Sequence, residues 1–151
     1  MCIRDSLQPG DPGYEIGVQH GLVAAVTDVS TGAEWGCNGT EITGADGTGI
    51  GDGAVNTADI VAECGTPGIA ARLCSDLIEG GYSDWYLPSQ GELNTLYTNR
   101  VAIGGFTTNF YWSSSEFNLY NGWVKYFDNG SDYAFNKTDT WSVRALSLIH
   151  I

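Results

Sequence analysis

Twenty-one of the 151 residues are glycine, and they cut the chain into short pieces. Each glycine inside a regular element costs roughly 0.5–1 kcal/mol relative to alanine. A chain so interrupted must fold from short elements joined by many turns. Aromatic residues make up 12% of the sequence and charged residues 16%, where about 25% charged is usual. Few charges and many rings argue for a folded, turn-rich, β-containing domain and against disorder. The net charge is −12, which leaves no basic footprint for nucleic acid. No apolar run approaches the ~20 residues that span a bilayer, so direct membrane insertion is not expected.

The two ends carry a separate message. Met1-Cys2-Ile3-Arg4-Asp5-Ser6 and Leu146-Ser147-Leu148-Ile149-His150-Ile151 are translations of one DNA string and of its reverse complement. That string resembles the transposase mosaic-end adapter of sequencing libraries. Residues 1–6 and 146–151 are therefore read as adapter-derived and set aside. This leaves 7–145 as a single domain truncated at both ends, with three native cysteines and one native histidine, His20. A signal peptide cannot be judged from such a start.

Within 7–145 the pattern changes near residue 100. Leu22–Val26 reads as a short strand, and Ala33–Gly36 as a second. Residues 38–53 read as a long surface loop. Thr57 is expected to cap a helix over Ala58–Cys64. Ile69, Leu73 and Leu77, with Ala70, Cys74 and Ile78, form an apolar helical stripe ended by Gly80-Gly81. Ser89 with Glu92 three residues on is a capping box that opens another helix, with Leu93, Leu96 and Tyr97 facing inward. From Phe110 onward short strands follow one another, with Asp128-Asn129-Gly130 as a hairpin turn. The class expected is α+β: two to three helices on a small, twisted antiparallel sheet.

Motifs for chemistry are few. Cys37, Cys64 and Cys74 are spaced by 27 and 10 residues, with no C-x-x-C and no second histidine for zinc. Of the three pairings, Cys64–Cys74 is the first choice because it flanks the interhelix turn. Buried reduced thiols are the alternative. His20 has no serine or cysteine in a nucleophile context beside it, so no catalytic residue is assigned. The glycine-rich 44–53 segment lacks the GK[ST] of a P-loop and the ligand spacing of an EF-hand. Asp128, Asp132 and Asp139 could hold calcium, but solvated turn carboxylates are the simpler reading, so no metal or cofactor is assigned.

The aromatic residues are more telling. Trp112, Tyr120, Trp123, Tyr126, Phe127, Tyr133, Phe135 and Trp141 fall within a single short stretch. Alternation predicts Trp123 and Phe127 on a buried face, with Val124 and Tyr126 opposite. The remaining rings, interleaved with asparagines, make an exposed aromatic and amide surface. Tyrosine offers large contact area at low entropic cost, and asparagine offers adaptable hydrogen bonds. The candidate ligand-binding residues are Phe117, Asn118, Tyr120, Asn121, Tyr126, Asp132, Tyr133 and Asp139.

The segment Asp84-Trp85-Tyr86-Leu87-Pro88-Ser89-Gln90-Gly91-Glu92-Leu93 resembles the D-W-x-L-P-S-x-x-E-L signature of the collagen-like adhesin C-terminal domain family, Lcl_C. His20-Gly21-Leu22, Glu34-Trp35-Gly36, Ala54-Val55-Asn56-Thr57, Tyr111-Trp112-Ser113-Ser114-Ser115-Glu116, Gly122-Trp123 and Val143-Arg144 follow in the family's order. The resemblance implies a fold similar to the C-type lectin-like fold of formylglycine-generating enzymes. Those enzymes use a late cysteine pair, and this chain has no native cysteine after Cys74, so their activity is not implied. The family is also similar to variable proteins of diversity-generating retroelements, and Phe117–Thr140 fits such a variable surface. Two departures stand out: a shortened segment before His20, and Val143-Arg144-Ala145 running into the adapter.

The function expected is a non-enzymatic, extracellular or cell-surface recognition domain that binds a glycan or a protein. The alternative is a structural or oligomerisation module of a larger bacterial envelope protein, a homo-oligomer in its full-length parent.

Overall fold

In the computed structural model the described residues are 2–3, 9–10, 12 and 20–150. Expectations for positions 4–8, 11 and 13–19 lie outside them, as does the His20 side chain. β1 (Cys2–Ile3), β2 (His20–Ala24) and β8 (Leu146–His150) form one antiparallel sheet in the order β1-β2-β8. The β2–β8 ladder runs from His20 opposite His150 to Ala24 opposite Leu146. The terminal hexapeptides thus contribute strands, since ladder bonds are made by main-chain groups that any extendable sequence supplies.

The second sheet has five strands: β3 (Ser30–Ala33), β7 (Trp141–Val143), β4 (Phe110–Asn118), β5 (Asn121–Tyr126) and β6 (Asp132–Asn136), in that order. The chain is α+β, but this sheet is not purely antiparallel. β4 and β7 run parallel, with Tyr111 opposite Ser142. β7 slots between β3 and β4 rather than extending the β4–β5–β6 meander, so hairpin alternation does not govern it.

The helices are α1 (Asp52–Glu63), α2 (Ala70–Ser75), α3 (Gln90–Thr98) and α4 (Arg100–Ile103). α1 starts six residues before the expected Ala58, and Thr57 is not its cap. The Thr57 hydroxyl donates to Gly53 O (2.7 Å) and accepts from Leu87 N (3.0 Å), which ties the helix to the segment before α3. α2 is shorter than its apolar stripe. It stops at Ser75, and Ile78 is 78% exposed because the chain has turned away before reaching it.

The capping box of α3 is present. Ser89 Oγ accepts from Glu92 N (3.2 Å), and Ser89 N donates to Glu92 Oε2 (2.9 Å). Glu92 Oε1 also accepts from Gly51 N (3.0 Å) and the Tyr86 hydroxyl (3.1 Å). This buried carboxylate therefore pins the glycine-rich loop to the helix start. The serines of β4 continue the seam: Ser115 Oγ donates to Gly47 O, and Ser114 N to Pro88 O.

Both faces of the five-stranded sheet are covered. Trp35, Ile60, Ile69, Trp112, Val124 and Val143 belong to one core, and Tyr86, Leu93, Leu96, Tyr111 and Phe127 to the other. The expected alternation along β5 therefore fails. Val124 is 1% exposed and Lys125 2%, while Trp123 is only half-buried. Alternation of buried and open residues needs a sheet with one wet face, which this one lacks over β5.

The disulfide expectation is corrected as well. Cys64 is bonded to Cys37, with Cα atoms 5.9 Å apart, and Cys74 is a free, buried thiol. Cys64 is the C-cap of α1 and Cys74 lies inside α2. The loop carrying Cys37 folds back over the end of α1 and supplies the partner. Burial pushes the Cys74 thiol well above its ordinary value.

Candidate functional site

The antiparallel register of β4, β5 and β6 decides which aromatic rings meet. Phe110 stands opposite Tyr126, and Val124 opposite Tyr133. Phe135 is paired with Gly122, and Trp141 lies on β7 next to β4. These positions share a face by parity. The rings touch: Phe110 stacks on Tyr126 (4.4 Å between centroids) and meets Trp141 at 4.8 Å and Phe135 at 5.0 Å. Tyr133 lies parallel to Phe135 at 5.8 Å. Such pairs contribute about 0.5–1.5 kcal/mol each beyond their burial. Tyr133 is 41% exposed and the other four are partly buried. A five-ring platform therefore lies at the edge of the first core, with Tyr133 open to solvent and the other four rings partly buried.

Of the eight expected ligand residues, Tyr126 and Tyr133 lie on this platform. Phe117, Asn118, Tyr120 and Asn121 lie at the opposite end of β5, at the β4–β5 hairpin tip. There Asn118 Oδ1 accepts from the backbone N–H groups of Tyr120 and Asn121 (both 2.9 Å), so its carbonyl shapes the turn. Phe117 is 51% exposed and meets Trp123 edge-on, and Tyr120 is 54% exposed. Asp139 sits in the β6–β7 turn, where its N–H donates to Asn136 O. Asp132 accepts from the buried Lys125 ammonium at 2.8 Å. The fold therefore divides the expected surface into a sheet-face pair, Tyr126 and Tyr133, and a larger group at the hairpin tip.

Phe110, Phe135 and Trp141 complete the platform but were not among the expected residues. The usable signal was hairpin register. Counting back from the Asp128-Asn129-Gly130 turn places Tyr133 against Val124 and Phe135 against Gly122, whereas Phe110 meets Tyr126 through the β4–β5 hairpin, whose register shifts twice. Trp141 could not be found this way, because β7 enters the sheet through a parallel pairing.

Buried charges among the described residues have structural partners. Arg144 Nε donates to Asp28 (2.8 Å), and its Nη atoms reach the carbonyls of Ala25, Gly104 and Gly105. The Tyr111 hydroxyl donates to the same Asp28 (2.8 Å). Burial, reinforced by that carboxylate, pushes the Tyr111 phenol above its ordinary value. Lys137 pairs with Glu116, and its ammonium lies 4.4 Å from the Trp35 ring. No three His, Cys, Asp or Glu side chains among the described residues gather closely enough to hold a metal ion. No helix among those residues is long and apolar enough to cross a membrane. The arrangement is suited to contact through rings and hydroxyls.

A family model described as the Lcl C-terminal domain matches residues 24–147. Among solved structures, a fimbrial protein from Bacteroides ovatus ATCC 8483 is similar, with a TM-score of 0.59 and 19% identity. The match covers 86% of this chain and 36% of that one, so the chain spans about a third of that protein's length. No curated protein matches the chain in sequence.

Proposed function

The chain belongs to the Lcl C-terminal domain family, and from that premise we propose that it is a non-enzymatic, adhesin-like recognition domain displayed outside the cell. Its ligand platform is the ring cluster of Phe110, Tyr126, Tyr133, Phe135 and Trp141. The observation that carries this reading is a chain of five packed rings on one sheet face, with Tyr133 exposed and Phe110, Tyr126, Phe135 and Trp141 partly open, because apolar patches that reach solvent mark binding surfaces. The flat faces of aromatic rings suit the C–H faces of sugar rings, and Trp141 Nε1 is a buried donor with no acceptor among the described residues. The acidic balance favours neutral glycans or protein ligands over sulfated polymers. Phe117, Asn118, Tyr120 and Asn121 at the hairpin tip form a second contact area, with Asp139 in the β6–β7 turn as a further contact. The similarity to a fimbrial protein of Bacteroides ovatus supports a surface role. The fold is in this reading a variant of the C-type lectin-like fold, as the resemblance implies.

The test is a screen of the chain against neutral oligosaccharides and proteins, repeated with Tyr126→Ala and Tyr133→Ala. Both variants should lose the ligand while keeping the melting temperature within a few degrees. Unchanged binding in both removes the platform from the site. Loss with Tyr120→Ala instead moves the site to the hairpin tip.

A second reading is favoured by β6, which bears Tyr133 and among the described residues is an edge strand paired with β5 alone. An oligomerisation module would cover that edge and its rings. Light scattering showing an oligomer that a Tyr133→Lys change dissolves would support this reading.

A further inference from the structure

A second site lies away from the platform. Among the described residues, three of the five basic side chains are buried in ion pairs: Lys125 with Asp132, Lys137 with Glu116, and Arg144 with Asp28. Arg72 turns its Nη2 onto the carbonyls of Val61 and Cys64 at the end of α1. Arg100 differs from all four. It has no carboxylate partner among the described residues, and it lines a cleft of about 280 Å³ with Gly104, Gly105, Phe106, Thr107, Thr108 and Phe127.

Arg100 is held in place from below. Nη1 donates to Tyr97 O (2.8 Å), and the guanidinium lies 3.9 Å from the Tyr97 ring centroid. A guanidinium carries five donors in a planar fork, and one contact leaves most of them available. The cleft has an apolar floor of Phe106 and Phe127, whose rings are 4.8 Å apart. The Arg144 guanidinium lies 4.0 Å from the Phe106 ring, its charge already paired with Asp28. Asp28, the nearest acid of that group, is committed to Arg144 and Tyr111.

We propose that this cleft binds a carboxylate borne on an apolar body, with the acid on Arg100 and the apolar part on Phe106 and Phe127. Charge complementarity selects the anion on a chain that repels most anions. The size of the cleft limits the occupant to about one residue-sized group. Two sources offer this chemistry, a free small acid and the C-terminal carboxylate of a peptide ending in an apolar residue. The site does not depend on the platform.

The experiment is an amide-resolved NMR titration of the chain. The probes are 3-phenylpropionate, a pentapeptide ending in Phe with a free carboxylate, and the same peptide amidated. The acids should shift the amides of Gly104, Gly105, Thr107 and Thr108. Amidation, or Arg100→Gln, should weaken binding at least about tenfold, since charge-assisted hydrogen bonds are roughly twice as strong as neutral ones. Arg100→Lys should recover part of the loss, and Arg72→Gln should change nothing. Tighter binding of the free-acid peptide than of 3-phenylpropionate assigns the source to a peptide terminus, and equal binding assigns it to a small acid. Equal binding of the amide, retention in Arg100→Gln with its fold intact, or shifts elsewhere on the surface would overturn the proposal. Tyr133→Ala should bind the acids normally, which separates this site from the platform.

Discussion

Lys137 and Glu116 form an ion pair closed off from water, with side-chain exposures of 0% and 5%. The Lys137 ammonium also donates to Thr40 O (2.8 Å), and the Glu116 carboxylate accepts from Ile42 N. The pair therefore holds the 40–42 loop against β4 and the end of β6. Lys137→Met should destabilise the fold by about 3–5 kcal/mol, because it leaves a buried carboxylate without its counter-charge. Glu116→Gln in the same chain should restore part of that loss. Urea unfolding midpoints of the single and double variants measure both.

The Cys37–Cys64 bond, across a separation of 27 residues, closes a loop that contains the glycine-rich 44–53 segment and α1. Cys37→Ser with Cys64→Ser should cost about 2–4 kcal/mol, since the bond restricts the unfolded chain. In a Cys2→Ser background, Ellman's reagent should find no reactive thiol in the native protein and one, Cys74, after unfolding. Burial both shields Cys74 and keeps it protonated.

Glu92 should leave a signature in the pH dependence of stability. Burial raises its pKa above the ordinary 4.5, against the opposing hydrogen bonds from Ser89, Gly51 and Tyr86. A carboxyl raised on folding contributes stability that is present below the unfolded value and lost as pH rises through the folded value. The stability of the parent chain relative to Glu92→Gln should therefore fall as pH is raised from about 4. Thermal melts across an acid pH series give the slope, and a difference that rises with pH would contradict the burial argument.

Gly122 is required by close approach. A Cβ there would sit 2.7 Å from Trp35 Cδ1 and 2.9 Å from its Nε1, while that Nε1 donates to Ser113 O (2.9 Å). Gly122→Ala should destabilise by about 1–3 kcal/mol, the usual cost of overpacking. It should also shift the tryptophan fluorescence as Trp35 is displaced.

The sequence determined the local pieces. Ser89 and Glu92 announce the start of α3, because a capping box is complete within four residues. Asp128-Asn129-Gly130 announces the β5–β6 hairpin, where Gly130 adopts a φ of 79°. The aromatic run from Phe110 to Trp141, the α+β class and the family signature around Trp85 were all legible in the same way. The start of α1 was not, because Thr57 is drawn into the helix by Leu87, thirty residues away. The partner of Cys64 was not, because it depends on how a long loop returns. The facing of β5 was not, because whether Val124 and Lys125 are buried depends on what covers each side of the sheet. The platform has the same character. Its tyrosines stood in the expected list, but Phe110, Phe135 and Trp141 joined them only through cross-strand register and one parallel pairing. Local hydrogen bonds and turn chemistry are complete within a few residues and can be read along the chain. Disulfide choice, burial on both faces of a sheet and the meeting of rings are contacts between distant segments, and only the tertiary structure decides them.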